Sequence, residues 1–101
     1  MKKIFSRVSY NDQELLGSNI QKLELKYYKV KNNIKRGYGI EIAKKEICNN
    51  KNLKENKYYE NISLNEKVVD KLLEILSINK VTPVISDDVI YDFLKEINQD
   101  M

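Results

Sequence analysis

The sequence has 101 residues, a net charge of +3, one cysteine and no histidine, and this length fits a single domain, 1–101, with one modest core. The absence of histidine removes the commonest general base near neutral pH and the commonest zinc ligand, which excludes histidine-dependent catalysis and His-ligated zinc. One cysteine cannot close an internal disulfide and no apolar run reaches transmembrane length, so we expect a cytoplasmic protein that does not insert into a membrane.

The first 62 residues carry the alternation of apolar and polar side chains that is typical of β-strands. The clearest predicted strands span 20–30, 36–47 and 57–62. Residues 1–19 are interpreted either as an extra strand, within the weakly alternating segment 4–10, or as a flexible N-terminus. Residues 49–56 are so polar that we predict a connection there. The sequence thus predicts an antiparallel β-meander of three to four strands, with its main part in residues 20–62.

Residues 63–98 predict a pair of amphipathic helices. Ser63 and Glu66 have the spacing of a capping box for the first helix, and Asn65 is an alternative cap. The second helix is predicted to begin at Ser86. Apolar residues recur at helical spacing in both helices, and the predicted stripes are Val69, Leu72, Leu73 and Leu76 in the first and Val89, Ile90, Phe93, Leu94 and Ile97 in the second. These stripes predict that the helices cover one face of the sheet.

The segment between the helices contains the only proline, Pro83. Proline restricts the preceding residue, Thr82, to an extended conformation. We expect Val81, Val84 and Ile85 to point inward and to fix the angle between the helices. Because the strands form one block of the chain and the helices the next, the predicted fold class is α+β.

Charge is distributed unequally between the two predicted halves. Residues 1–57 contain fourteen Lys and Arg against six Asp and Glu, whereas residues 58–101 contain four against nine. The sheet is therefore basic and the helices are acidic. A basic face attracts acidic proteins, nucleic acids or anionic membranes, but it is also the ordinary composition of a solvated face whose charges the protein's own helices partly balance.

The basic, tyrosine-rich sheet is the candidate binding surface. The tetrapeptide at 36–39, Arg-Gly-Tyr-Gly, matches the start of the octamer of RNA-recognition motifs. The match fails further on, because Ile40 and Ala43 stand where that octamer carries aromatic rings for base stacking. The residues that we predict to contact a partner, from the exposed sheet face and the inter-helix segment, are Lys26, Tyr28, Arg36, Tyr38 and Pro83. For Pro83 a purely structural turn is the alternative interpretation.

No catalytic, cofactor or metal site is predicted. Cys48 has lysines nearby, but it fits equally a small residue at the end of a strand. Asp87 and Asp88 fit the first turn of a helix, where the helix dipole stabilises anions, and no calcium-binding loop surrounds them. We therefore expect a non-enzymatic protein-interaction or regulatory module. The expected partner is a protein or a second copy of the chain, joined for example at a sheet edge, and single-stranded nucleic acid is the alternative.

Three short motifs resemble a known family. They are Tyr-Gly-Ile-Glu-Ile at 38–42, Lys-Val-Thr-Pro-Val at 80–84 and Asp-Phe-Leu at 92–94. Together they resemble a small uncharacterised domain family, about 100 residues long, of spore-forming low-GC Gram-positive bacteria. The resemblance spans about residues 20–95 and implies a discrete domain. It implies no activity, cofactor or partner.

Overall fold

The computed structural model describes residues 1–10, 20–32, 34 and 36–99. Four strands precede two helices, namely β1 (Lys2–Tyr10), β2 (Ile20–Lys31), β3 (Tyr38–Cys48), β4 (Lys51–Ser63), α1 (Glu66–Ile78) and α2 (Ser86–Gln99). The strands form one antiparallel sheet in the order β1-β2-β3-β4. This confirms the predicted α+β fold, with β1 as the extra strand of the meander. Residues 11–19, the remainder of the N-terminal segment that was interpreted as an extra strand or a flexible N-terminus, lie outside the described residues.

The hairpin of β3 and β4 corrects one sequence prediction. A connection over residues 49–56 is wrong, because only Asn49 and Asn50 join the two strands. Both have positive φ, 52° and 64°, as in the two-residue turns that match the twist of a hairpin. The strands then pair in unbroken register from Cys48 with Lys51 up to Ile40 with Tyr59. The start of β4 is polar because it is exposed to solvent, and not because it is a loop.

At its other end the hairpin contains a bulge that depends on a glycine. The register between β3 and β4 shifts between Tyr38 and Ile40, and Asn61 in β4 has a φ of 52°. A Cβ atom on Gly39 would overlap the carbonyl oxygen of Tyr59 and lie 3.2 Å from the Cα of Glu60. Gly39 therefore allows the backbone of β4 to approach β3 closely at this point.

The core lies between the sheet and the helices. Its buried hydrophobic side chains are Leu25, Tyr27, Ile40 and Ile42 from the sheet, Val69, Leu72, Leu73 and Leu76 from α1, Val81 from the connection and Ile90 from α2. The sheet residues alternate along β2 and β3, as the pleat requires for a single buried face. The α1 residues are the predicted stripe. In α2 four of the five predicted stripe residues pack on the core, with Ile90 buried and Val89, Phe93 and Leu94 half-buried.

The helix ends follow local signals in the sequence. Asn65 is the N-cap of α1, and its side chain accepts a 3.0 Å hydrogen bond from the backbone N–H of Lys67. Ser63 instead accepts from the backbone N–H of Asn65. The alternative cap is thus the one that forms. Helix α1 ends at Ile78 with Asn79 as its C-cap, and α2 begins at Ser86 as predicted.

The connection between the helices differs from the prediction in two of three side chains. Val81 is buried, but Val84 and Ile85 are 72% and 51% exposed. Pro83 is buried instead. Val81 and Pro83 are alternate residues of the segment and both face the core, whereas Val84 and Ile85 lie on a turn that projects outward. Neither helix in the described part of the chain has the length and apolar character needed to cross a membrane.

Candidate functional site

The sheet face opposite the helices, which we call the open face, is the candidate site. Leu25 and Tyr27 of β2 point into the core, so their neighbours Glu24, Lys26 and Tyr28 point to the other side. The strand register extends this face across the sheet. Its central positions are Lys22, Glu24, Lys26 and Tyr28 in β2, Glu41, Ala43, Lys45 and Ile47 in β3, and Asn52, Lys54, Asn56 and Tyr58 in β4.

One half of the open face, around Glu41, satisfies its own polar groups. Lys2 Nζ lies 3.4 Å from one carboxylate oxygen of Glu41, and Asn56 Nδ2 donates a 3.0 Å hydrogen bond to the other. The same lysine lies 4.5 Å from the ring centroid of Tyr28, a cation–π distance. Lys2 therefore covers one face of the Tyr28 ring, and this half of the surface has little unused binding capacity.

The other half carries an excess of positive charge. Lys45 and Lys54 stand directly opposite each other in neighbouring strands. Neither forms an ion pair with any residue that the structure describes. Like charges at directly opposite positions destabilise a sheet. The positive charge here consequently has a cost in the free protein that a bound anion would remove.

Glu24 is the acidic group of this half. Its carboxylate lies 3.5 Å from Lys26 Nζ and 3.9 Å from Arg7 Nε, so it is shared between two cations. We call Lys22, Lys26, Lys45 and Lys54 the lysine cluster. These four cations surround the single Glu24 carboxylate, and the cluster keeps a net positive charge after all the ion pairs of the described residues are formed.

A shallow depression lies between the two halves of the open face, and its lining includes the carboxylate residue Glu24 as well as lysines. Ala43, the small residue between Lys26 of β2 and Asn56 of β4, lies in its lining. The depression has a volume of about 250 Å³, and Tyr28, Lys45 and Lys54 also line it. A side chain from a partner can enter this space, with lysine ammonium groups at its rim. The geometry suits a carboxylate side chain better than a cation.

The structure places only two of the five predicted contact residues together. Lys26 and Tyr28 share the open face. Arg36 is exposed in the loop before β3 and has a φ of 55°. Tyr38 lies on the helix side of the sheet, half-buried and packed against the core. Pro83 is buried between the helices, so its side chain is not part of an exposed surface.

Lys45 and Lys54 were missed by the sequence reasoning. Lys45 was placed on a strand, but Lys54 fell within the supposed connection, so no pairing between them was considered. The available signal was Asn49-Asn50, since two asparagines between strand-like segments are typical of a tight hairpin turn. With that turn, the register brings the two lysines opposite each other.

On the helix side, polar groups anchor α2 to the sheet. The hydroxyl of Tyr59 donates a 2.5 Å hydrogen bond to Asp87 and lies 2.5 Å from Ser86 Oγ, which donates to the carbonyl of Pro83 at 2.8 Å. Burial, followed by the hydrogen bond to Asp87, raises the pKa of Tyr59 to about 12. The same bond lowers the pKa of the Asp87 carboxyl. These contacts fix the start of α2 on β4.

The described residues were also compared with the arrangement that a metal ion requires. They contain no group of three or more cysteine or acidic side chains placed to hold a metal ion. The thiol of Cys48 is free and half-buried at the end of β3. Among the described residues, the features of the open face that could act in binding are its charge, its hydrogen-bonding groups and its shape.

The chain matches a known protein family. A family model described as a family of unknown function (DUF6514) matches residues 6–96. The matched region includes both lysines of the facing pair and almost the whole fold. No curated protein and no solved structure matches the chain.

Proposed function

This chain belongs to a family of unknown function, and we propose that it is a non-enzymatic interaction module that binds an acidic protein through its lysine cluster. We propose that the protein acts in the cytoplasm and that its role is regulatory. The observation that carries the proposal is the opposition of Lys45 and Lys54, neither of which forms an ion pair with a described carboxylate. Glu24 stands opposite Lys45 in β2, but its carboxylate lies within ion-pair distance of Lys26 and Arg7 instead. An acidic side chain of the partner would lie between these ammonium groups, beside the depression lined by Ala43.

The surroundings of the cluster support a protein as the ligand. Lysine side chains cover apolar surface with their methylene stems while their ammonium groups stay in water. A partner can therefore gain from both charge and apolar contact on this face. Charge complementarity of this kind mainly raises the rate of association and excludes wrong partners. A depression of about 250 Å³ adds a shape constraint that a flat basic surface lacks.

Single-stranded nucleic acid is the second candidate function. It is favoured by Tyr28 and Tyr58, which lie on the same basic face and flank Glu41, since aromatic rings on a basic sheet can stack with bases. Two features weigh against it. Lys2 already covers the ring of Tyr28, and the Glu41 carboxylate between the two rings would repel phosphates.

The test is a capture experiment with matched charge variants. The cluster variant is Lys26→Gln with Lys45→Gln, both in central strands. The control is Lys67→Gln with Lys71→Gln, which removes the same charge from exposed positions of α1. Tagged wild type and both variants are incubated with nuclease-treated lysate of the native host. We expect one acidic protein to be retained by wild type and control but lost by the cluster variant.

The opposite results are equally clear. A protein that the cluster variant retains at the wild-type level would contradict the proposal. For nucleic acid, fluorescence anisotropy with a labelled oligothymidylate gives the decisive reading. The second function would be supported instead by tight binding that the cluster variant loses. The affinity of that binding should fall with salt, with a log–log slope of about −0.7 for each phosphate contacted.

A further inference from the structure

The outer edge of β4 is the most open strand edge of the molecule. β4 is the last strand of the sheet, and in the described structure no strand pairs with its outer side. From Lys51 to Tyr59 it runs in unbroken register with β3 and contains neither proline nor glycine. Its residues are mostly exposed. Such an edge presents unpaired backbone N–H and C=O groups to another strand.

We propose that β4 pairs with β4 of a second copy of this chain, antiparallel, around a two-fold axis at Asn56. This interface shares only Lys54 with the lysine cluster on the open face, and it does not rest on the function proposed above. In such a pairing, residues at equal distances from Asn56 in the two copies stand opposite each other. The symmetry makes every contact occur twice.

The register at Asn56 makes the strand complementary to itself. The facing pairs are Glu55 with Lys57, Lys54 with Tyr58, and Leu53 with Tyr59. The first joins opposite charges, the second sets an ammonium beside an aromatic ring, and the third joins two apolar surfaces. Cross-strand pairs of these kinds stabilise sheets. The neutral Asn56 lies on the axis and faces its own copy.

Most of the side chains required for these contacts are accessible, whereas Tyr59 is half-buried and packs against the core. Glu55 is exposed and forms no ion pair with any described residue. Lys57 lies 3.6 Å from Asp87, but its side chain is 44% exposed, so its ammonium group can also reach a carboxylate from the second copy. Leu53 is 52% exposed, which is high for a leucine on a strand. Contact with Tyr59 of the second copy would cover it.

Neighbouring registers are less favourable. Placing the axis at Glu55 would set that carboxylate against its own copy, and placing it at Lys57 would set two ammonium groups together. Like charges directly opposite each other destabilise a pair of strands. Asn56 is the position between Glu55 and Lys57. With the axis at Asn56, each Glu55 faces a Lys57 of the other copy, and the two side chains lie on the same face of the sheet, as directly facing residues of an antiparallel pair do.

The other edge of the sheet is protected against such pairing. β1 carries Lys2, Lys3 and Arg7 and no acidic residue, so two copies of β1 would repel each other. Its pairing with β2 is also interrupted by a register shift between Ile4 and Ser6. Bulges and charges are the usual means by which edge strands avoid association. One edge is thus blocked, which favours a closed dimer over a fibre.

The test uses single charge reversals and their mixture. In the proposed dimer, position 55 of each copy faces position 57 of the other. Glu55→Lys therefore creates two Lys–Lys pairs, and Lys57→Glu creates two Glu–Glu pairs. Each variant alone should therefore raise the dimer dissociation constant by about tenfold or more. In an equimolar mixture the lysine introduced at position 55 faces the glutamate introduced at position 57. Every pair is again opposite in charge, and the mixed dimer should form.

The mass is measured by light scattering or sedimentation equilibrium over a range of concentrations. Wild type should reach twice the monomer mass of 11.9 kDa. The matched controls are Glu74→Lys and Lys71→Glu, which make the same charge changes at exposed positions of α1 and should leave the dimer intact. Recovery of the dimer on mixing also shows that both single variants are folded.

Three results would overturn the proposal. The first is a wild-type protein that stays monomeric at millimolar concentration. The edge of β4 would then be available to pair with a strand of another protein rather than with a second copy. The second is a dimer that neither reversal weakens, and the third is a mixture that forms no more dimer than its components. The variant Lys26→Gln with Lys45→Gln should dimerise normally, so failure of this proposal and failure of acidic-partner binding are distinguishable.

Discussion

The hydroxyl of Tyr27 donates a 2.8 Å hydrogen bond to the carbonyl oxygen of Val81, and both residues are buried. This bond joins the second strand to the connection between the helices, 54 residues further along the chain. It satisfies a polar group of a connection that enters the core. Tyr27 is therefore a structural link between the sheet and the connection of the helices.

Replacing Tyr27 with phenylalanine should destabilise the protein. The ring would still fill its space, but the carbonyl of Val81 would lose its partner inside the core. A buried polar group left without a hydrogen bond costs about 1–3 kcal/mol. Urea denaturation measures the change in the free energy of unfolding. Tyr91→Phe, at a position 66% exposed, is the control and should change it little. Equal effects of the two substitutions would contradict the assigned role.

Stability should fall at alkaline pH because of two tyrosines. Burial is the main cause that raises the pKa of both Tyr27 and Tyr59 from 10.0 to about 12. Above pH 10 a tyrosine ionises in the unfolded chain while the folded protein keeps its proton. The unfolded state then binds fewer protons, so the free energy of unfolding decreases as pH rises from 10 towards 12.

The measurement is the urea midpoint as a function of pH between 8 and 12. Tyr27→Phe combined with Tyr59→Phe removes both groups, and its midpoint should decline less steeply over this window than that of wild type. Tyr91→Phe again provides the comparison, because it removes an exposed phenol. If the double variant lost stability with the same slope as wild type, other groups would be responsible for the alkaline transition.

The helices could be predicted from the sequence because their signals are local. The spacing of Val69, Leu72, Leu73 and Leu76 defines a buried face without knowledge of the rest of the chain. The capping residue Asn65 acts within one turn. Alternation in β2 was equally informative, because one side of that strand is buried by the helices and the other is open.

The facing pair of Lys45 and Lys54 was not predicted, because it depends on a strand register for which the available sequence signal was Asn49-Asn50. The start of β4 is exposed to solvent, so it shows no apolar alternation, and its polarity suggested a loop. Only the positive φ angles at Asn49 and Asn50 establish the tight turn that places Lys54 against Lys45. The prediction that Val84 and Ile85 point inward was wrong for a similar reason. Their hydrophobicity alone does not show that a turn directs their side chains outward.

Substitution of Gly39 should be costly, in contrast to Gly37. An alanine Cβ at position 39 would meet the backbone of Tyr59 and Glu60, which can move only if the paired strand moves. At position 37 the Cβ would lie 2.8 Å from Oδ1 of the Asn61 side chain, which can rotate away. We expect Gly39→Ala to lower the free energy of unfolding by about 1–3 kcal/mol and Gly37→Ala to lower it less.

Thermal or urea denaturation of the two glycine variants tests this prediction. Circular dichroism of each variant shows whether the sheet is retained. A Gly39→Ala variant as stable as wild type would mean that β4 can withdraw from β3 at this point without loss. A larger loss for Gly37→Ala would reverse the expected order and contradict the importance of the close approach between strands.

Neutralising one lysine of the facing pair should stabilise the fold while it weakens binding. Lys45 and Lys54 repel each other across β3 and β4, so Lys54→Gln, which leaves Lys45 opposite Glu24 of β2, should raise the free energy of unfolding by roughly 0.2–1 kcal/mol at low salt. The gain should disappear at 1 M salt, where the screening length is about 3 Å. Lys71→Gln on α1, away from the cluster, serves as the control.

A double-mutant cycle isolates the contribution of the pair. Lys45→Gln alone should give a smaller gain than Lys54→Gln, because Lys45 also faces Glu24. The double variant should gain less than the sum of the two, because the repulsion is already removed by the first change. Strictly additive effects, or a loss of stability at low salt, would contradict a repulsive contact. If these lysines lower the stability of the free protein and are also needed to retain a partner, their role is in binding. A merely solvated surface would show the effect on stability without the effect on binding.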